Sequence, residues 1–373
     1  MKRQLFISTS PSDFDILKQL VVESSKIKKV DFLILFSLSK DELSSLKKSN
    51  IKVIVKDLKF KNKNDKTELV KTDLDKINKF YSNFLLENEY DHIIILGDRY
   101  ELLPIVQISY LFKKIIMHIH GGEITKGSWD DSIRHSISKL SHIHFVTSEN
   151  SKKNLIKMGE NERNIFNFGS LGAFNAKETL ISEKKDLFNY LEIEEEKKTC
   201  LLVIQPITNK DIDLNKLLDN LVQFLIENEF KQILISKLNS DPGSKEILNY
   251  FKGIKTLKVK FLEHLGFRNY ISLAKHSDLV IGNSSSFIFE LPMKNIKSIL
   301  ITDRQKGREL GEHNFESSIE IKDLNATYKN LISKKTTINS LYYVKNTPQK
   351  ISNKINKIAE SPPKYRKTFN NEK

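Results

Sequence analysis

The chain has little cysteine. Cys200 is its single thiol, so no disulfide can form within it. Its place in the apolar run TCLLVI marks it as a buried strand residue rather than a nucleophile. One lone thiol suits a reducing compartment. Long hydrophobic runs are also missing, and no segment approaches the apolar length that spans a bilayer. The opening, Met-Lys-Arg-Gln-Leu-Phe-Ile, has the charges of a secretory leader without its apolar stretch, because Ser, Pro and Asp follow at once. A soluble, cytoplasmic protein is expected. No helix-turn-helix pattern, aromatic RNA motif or zinc-type Cys/His spacing stands out. The net charge of +14 comes mostly from lysine mixed with Asn and Ile, which reads as solvated helix faces. Neither nucleic acid nor membrane is an expected partner. The positive field still favours anionic small ligands.

What is present is alternation. The 373 residues are enough for two domains. Short Ile/Leu/Val-rich runs at Gln4 to Ser8, Val30 to Phe36, Lys52 to Lys56, His92 to Leu96, Ile115 to His120 and His144 to Thr147 predict strands. Helical patterns separate them at Asp13 to Lys26, Leu69 to Glu87, Tyr100 to Phe112, Asp130 to Leu140 and Ser151 to Met158. The second half repeats the theme. Its predicted strands are Cys200 to Gln205, Gln232 to Ser236, Lys258 to Leu262, Leu279 to Gly282 and Ser298 to Thr302. Its helices are Asn215 to Asn228, Lys245 to Phe251, Phe267 to His276 and Phe287 to Met293. The expected fold class is α/β: two Rossmann-like doubly wound domains with parallel sheets covered on both faces. The expected division is 1–175, then 176–340, then a helix in 341–360 packing back on the first domain, then a mobile tail, 361–373, rich in charge and proline.

Open α/β sheets bind ligands beyond the carboxyl ends of their strands. The unusual residues fall there. GDRYE follows the run IIIL and places Asp98, Arg99 and Glu101; an N-cap role for Asp98 on a helix from Tyr100 competes with a chemical one. HIHGGE closes the next run with His118, His120 and Glu123. Alternation puts both histidines on one strand face, yet no cysteine or third close ligand makes them a metal site, and one of them fits a structural role. DDSIRH opens an amphipathic helix, with Asp130 and Arg134 on one face and Asp131 and His135 on another. Capping and surface ion pairs are the plainer reading of this last set. That density of titratable groups beside glycines is what proton-transfer chemistry needs. Asp98, Glu123, Asp130 and Asp131 are the candidate acids and bases.

In the second half, Gln205 ends one strand, and Asn283, Ser284, Ser285 and Ser286 link another to a helix, where N–H groups and hydroxyls suit an anion. Glu290 follows one turn on, placed for a ribose. Arg304 and Arg308 come from the run DRQKGR after the next strand. Asn239, Asp241, Pro242 and Gly243 read as a turn.

Together, GDRYE, HIHGGEITKG, DDSIRHSISKLSHIHF, NSDPG, GNSSS and DRQKGR, in that order, resemble the hydrolysing UDP-N-acetylglucosamine 2-epimerases of the sialic acid and legionaminic acid pathways. The resemblance covers roughly Leu5 to Asn314. It implies a GT-B fold whose two domains face a cleft, UDP held by the second, a homodimer, and neither metal nor other cofactor. It implies elimination of UDP to a 2-acetamidoglycal followed by hydration, on UDP-N-acetylglucosamine or a UDP-2,4-diacetamido-trideoxy sugar. By position, Asp98, Glu123 and Asp130 or Asp131 match the acid/base carboxylates. Arg99, Glu101, His118, His120, Arg134, His135 and Gln205 fall to the sugar, and Asn283, Ser284, Ser285, Ser286, Glu290, Arg304 and Arg308 to the nucleotide. Three departures stand out. Thr9 and Pro11 replace the glycine and arginine of a Gly-Thr-Arg start, Gln205 replaces a histidine, and Phe287 replaces a glycine where it is expected to crowd the diphosphate. Two other readings stay open: a GT-B glycosyltransferase, and a nucleotide-sugar binder without turnover.

Overall fold

The computed structural model describes residues 3–46, 50–60, 66–206, 213–236, 238, 243–263 and 265–370. The chain divides into two compact units. The first comprises Met1–Ile124, Asp130–Phe174 and Val344–Lys373; the second comprises Thr125–Trp129 and Asn175–Tyr343.

The first unit is built on β1 (Gln4–Ser8), α1 (Pro11–Ile27), β2 (Val30–Ile34), α2 (Lys40–Leu46), β3 (Ile51–Val55), α3 (Lys66–Glu87), β4 (His92–Leu96), α4 (Leu102–Leu111), β5 (Ile115–Ile119), α5 (Asp130–Leu140), β6 (Ile143–Val146), α6 (Glu149–Lys157) and β7 (Ile165–Asn167). Its sheet is parallel with order β3-β2-β1-β4-β5-β6-β7. Side chains of a strand alternate between faces. Phe6, Phe32, Ile94, Met117 and Phe145 therefore feed one core, while Leu5, Ile7, Leu33, Ile93, Ile95 and Ile116 feed the other.

α7 (Leu171–Glu178) carries the chain into the second unit, with α8 (Lys184–Tyr190), β8 (Thr199–Val203), α9 (Leu214–Glu227), β9 (Gln232–Ile235), α10 (Ser244–Gly253), β10 (Lys258–Phe261), α11 (Gly266–His276), β11 (Leu279–Gly282), α12 (Ser286–Phe289), β12 (Ser298–Ile301), β13 (Asn314–Ser317) and α13 (Ile321–Ser333). Its parallel sheet has order β10-β9-β8-β11-β12-β13. Cys200 is fully buried in this core, between Leu202 and the helix α9 residues Leu217, Leu218 and Leu221. α14 (Thr347–Glu360) returns to the first unit. Its Ile351, Ile355 and Ile358 join the core that holds Phe14, Leu17 and Val21 of α1. Among the described residues no helix is long and apolar enough to cross a membrane.

In the tail, Tyr365, Lys367 and Asn370 each hydrogen-bond to other parts of the first unit.

Candidate active site

In the first unit the strand order reverses between β1 and β4, which makes their carboxyl ends the switch point of the sheet. The two strands pair with Leu5 beside Ile93 and Phe6 beside Ile94. Residues following Ser8 and Leu96 are thereby neighbours. Asp98 emerges from β4 through Gly97 (φ 83). It is not the N-cap of α4, which begins at Leu102 with Glu101 as its N-cap residue. The carboxylate of Asp98 accepts from Arg134, a pair separated by 36 positions.

Arg134 is the hub. α5 forms because Ile133, Ile137 and Leu140 lie on one face against the core, and Asp130 and Asp131 favour its positive end. Its Arg134 side chain is only 1% exposed, Asp98 and Asp131 about a quarter. Nη1 donates to the backbone carbonyl of Glu123 at 2.8 Å and lies 3.5 Å from Asp131 Oδ1; Nη2 pairs with Asp98. Burial alone would push the guanidinium down, but Asp98 and Glu123 outweigh it and keep it charged. One cation so gathers three candidate acid/base residues. Asp131 also faces His135, at 3.6 Å from Nε2, the pair that i, i+4 spacing predicts. Asp130, on the same helix face as Arg134, adds its charge to those that favour the guanidinium.

Glu123 is 5% exposed. Thr147 Oγ1, at the end of β6, donates to its Oε1 at 3.0 Å. The turn that delivers it needs Gly122: φ is 78, and a Cβ there would meet the carbonyl oxygen of Ser151 at 2.3 Å. His120 leaves the strand with φ 67, so the shared face expected for the two histidines is lost. Its Nδ1 lies 3.7 Å from Glu123. His118 stays on β5, wholly buried, with Nε2 donating to the carbonyl of Gly97 at 2.7 Å and Nδ1 accepting from Ser138 Oγ at 3.0 Å. Burial pushes it down to about 3, so it is neutral. His118 is the structural member of the pair and has no atom to offer a sugar. Glu101 is likewise fully buried and clamps Arg99 through two bonds of 2.6 and 3.2 Å, which places it behind Arg99 rather than on a ligand.

Asp13, outside the set of candidate residues named from the sequence, also stands at this switch point. Pro11 occupies the first turn of α1 and Ser10 caps it, accepting from Asp13 N at 3.2 Å. The proline in place of arginine thus starts a helix that carries an acid to the switch point. Burial pushes the Asp13 carboxyl up to about 6; Arg99 and Ser10 oppose that, and Asp98 and Glu101 add to it. Its Oδ2 is buried with no hydrogen-bond partner among the described residues. The available signal was an acid three positions after a capping serine, just beyond the first strand. Among the described residues no cluster of three or more His, Cys, Asp or Glu is placed to hold a metal ion.

The second unit reverses strand order between β8 and β11. There Asn283, fully buried, clips the two strand ends: Oδ1 accepts from Gln205 N at 2.7 Å, and Nδ2 donates to Gln205 O at 2.8 Å. Gln305 Nε2 donates to the Asn283 carbonyl at 3.0 Å and takes Arg308 on its Oε1 at 2.5 Å. Arg304 Nη1 reaches the same carbonyl at 3.4 Å. Ser284 Oγ and Ser286 Oγ are 2.9 Å apart, and Tyr270 holds Ser286 at 2.5 Å. Ser285, partly exposed, stands between them. The helix after the serines is a single turn of four residues, so little macrodipole assists an anion. Ser286 N–H is already engaged by Ser284 Oγ at 3.3 Å. Phe287 is fully buried, so it does not crowd a ligand as expected. Glu290 is 5% exposed. Gly243, φ 99, opens α10, while Asn239, Asp241 and Pro242 lie outside the described residues.

With this geometry in place, the comparisons with known proteins become informative. The family model described as UDP-N-acetylglucosamine 2-epimerase matches residues 40–356. The chain belongs to that family. It is 39% identical over 247 residues to the GDP/UDP-N,N'-diacetylbacillosamine 2-epimerase (hydrolyzing) of Campylobacter jejuni, covering 65% of this chain and 64% of that protein. It is 35% identical over 246 residues to the polysialic acid biosynthesis protein P7 of Escherichia coli, covering 64% and 62%. The chain thus matches less than two thirds of the length of either relative. Its fold is similar to that of Methanocaldococcus jannaschii UDP-GlcNAc 2-epimerase in complex with UDP-GlcNAc and UDP, with TM-score 0.76, 16% identity and coverage of 96% of this chain and 100% of the other. At that identity the likeness concerns fold alone. Both units are the parallel-sheet α/β domains of a GT-B-type architecture.

Proposed function

We propose that the protein is a hydrolysing 2-epimerase of a UDP-linked 2-acetamido sugar, working in the cytoplasm as a homodimer. The observation that supports this most is the Arg134 network, which ties Asp98, Asp131 and the Glu123 backbone to one buried cation. The names of the relatives point the same way.

The chemistry explains why such a network is useful. The C2 proton of a 2-acetamido sugar is not acidic, since no carbonyl adjoins C2 within the ring. Its removal must accompany departure of UDP from C1. The C2–H and C1–O bonds break, a C1=C2 double bond forms, and UDP leaves with the electron pair. Water then adds to C1 and a proton returns to C2 on the other face. Two proton-transfer groups are required, and they must be held apart in environment. Glu123, nearly buried and bonded to Thr147, and Asp98, half-open and paired to Arg134, differ in that way. Ser284, Ser285, Arg304 and Arg308 are assigned to the departing diphosphate and its nucleoside.

Proton NMR of a reaction in heavy water tests the reading, with UDP-N-acetylglucosamine and its 2,4-diacetamido analogue supplied separately. Free UDP and deuterium at C2 of the released sugar are expected from one of the two. UDP release that needs an acceptor, without C2 exchange, would make the protein a glycosyltransferase. Calorimetric binding of both sugars without turnover would make it a binder.

A further inference from the structure

The tail, 361–370, is where the fold does something its composition does not announce. The last carbonyls of any helix lack intrahelical donors. Helices commonly solve this with a glycine just past the end. α5 has none: Ser141 and His142 follow Leu140, and β6 begins at Ile143. Ser141 N serves the carbonyls of Ile137 and Ser138 locally, at 3.0 and 3.1 Å, and a further donor comes from far away in sequence. Lys367 Nζ donates to the carbonyl of Lys139 at 2.7 Å, to the carbonyl of Ser141, and to Glu160 Oε2 at 2.8 Å. A longer contact of 3.5 Å reaches the carbonyl of Ser138, so the three N–H groups of the ammonium are shared among four acceptors. The charge also complements the negative end of the helix.

Glu160 anchors that ammonium. It is 4% exposed and additionally receives Lys139 at 3.0 Å and His144 Nε2 at 3.1 Å. Burial by itself would push Glu160 up, but the bond from His144 and the charge of Lys367 bring it down to about 2. His144 is fully buried and is pushed down, so it stays neutral and donates. The flanking tail residues are fixed as well. The Tyr365 carbonyl accepts from His142 Nε2 at 3.0 Å, and the Tyr365 hydroxyl donates to the Tyr110 carbonyl. Asn370 N donates to the Gly159 carbonyl at 2.9 Å. A Cβ on Gly159 would meet the Phe369 ring at 2.5 Å, so the ring needs that glycine.

The clasped turn is linked directly to the acid/base residues. Ser138, in the last turn of α5, holds His118, and His118 holds the carbonyl of Gly97 beside Asp98. One turn earlier on α5, Arg134 holds Asp98 itself. We infer that Lys367 is a positioning residue: by closing the C-terminal turn of α5 it keeps Asp98, Asp131 and Arg134 in mutual register. This rests on the proposed 2-epimerase reading, since it assigns those residues to catalysis.

The test compares Lys367→Met, Lys367→Gln and Lys367→Arg in the full chain, well below the melting temperature. Two quantities are read: steady-state UDP release and hydrogen exchange of the α5 amides. For Lys367→Met, kcat is expected to fall about tenfold with KM held within about twofold. Amides at 136–141 should exchange about tenfold faster or more. Lys367→Gln keeps two N–H donors without the charge; it should fall in between, and it serves if the Met variant does not fold. Lys367→Arg should recover most of both quantities. Wild-type kcat and exchange in the Met and Gln variants would overturn the inference. So would loss in KM alone, or no recovery with Arg. If the wild-type protein turns over neither sugar, the exchange arm still decides whether the clasp exists, so the two failures are distinct.

Discussion

The two units share one strand order and place different side chains at its reversal. Within each, the first three strands run outward and the chain then reverses, giving 3-2-1-4-5-6 in both and a seventh strand in the first unit alone. At the reversal the first unit assembles charge: Asp13, Asp98, Arg99, Asp131 and Arg134. At the equivalent reversal the second assembles neutral groups, with Asn283 clipping Gln205 and a cluster of Ser284, Ser286 and Tyr270 hydroxyls. Its cations, Arg304 and Arg308, come one strand later. A buried charge must be matched by another and then shifts proton affinity. A buried amide or hydroxyl only needs a partner. Under the proposed function, the same scaffold would carry proton transfer in one copy and ligand holding in the other.

The sharpest way to break this contrast is Asp98→Asn. Turnover and C2 exchange should fall by something on the order of 10²–10⁴, with UDP affinity by calorimetry essentially unchanged. A matching loss of UDP affinity would erase the division of labour. Next comes Arg134→Met, which leaves Asp98 and Asp131 beside an empty cation site. Removing one member of a buried ion pair costs about 3–5 kcal/mol, so thermal melting should show a marked loss of stability as well as lost activity. In the second unit, Ser284→Ala should weaken UDP binding by about 2- to 10-fold, the equivalent of one neutral hydrogen bond, and should leave the melting temperature nearly unmoved.

The smaller effects concern pH and carry opposite signs. His118 and His142 are pushed down by burial, to about 3 and about 4. They take up protons on unfolding anywhere below the ordinary histidine value of about 6.5, so stability should fall as pH drops from there toward 4. Calorimetric scans across that range check this. Asp13 is pushed the other way, to about 6, chiefly by burial. Its folded form binds more protons than its unfolded form between about 4 and 6, so the ionised carboxyl costs stability above pH 6. Asp13→Asn should therefore raise the melting temperature at pH 8 and leave it little changed at pH 4.

What the sequence disclosed follows from range. α5 is written locally: two acids at its start and Ile133, Ile137 and Leu140 on one face mark it out as Asp130–Leu140. β1, β4 and β11 are uninterrupted apolar runs and read just as directly. β13, Asn314–Ser317, was not legible, because NFES has one buried residue and draws its identity from pairing with β12. The site shows the same split. Gly97, Gly122 and the acids around them stand out in a single sequence. That Arg134 serves Asp98, that His118 is sealed between Gly97 and Ser138, and that Lys367 reaches Glu160 are facts of tertiary partnership. No local spacing encodes a partner dozens or hundreds of residues away.

The short stretch Thr125–Trp129 belongs to the second unit, although Glu123 before it and Asp130 after it belong to the first. Lys126 N donates to the Lys306 carbonyl at 2.9 Å, in the loop that carries Arg304 and Arg308. The polypeptide therefore changes allegiance at 124/125, 129/130, 174/175 and 343/344. No single cut of the gene releases either half intact. A chimera that borrows the carboxylates from one homologue and the nucleotide lobe from another would have to swap this pentapeptide with the lobe, not with the acids it interrupts. Otherwise it would inherit a splice in the middle of its own machinery.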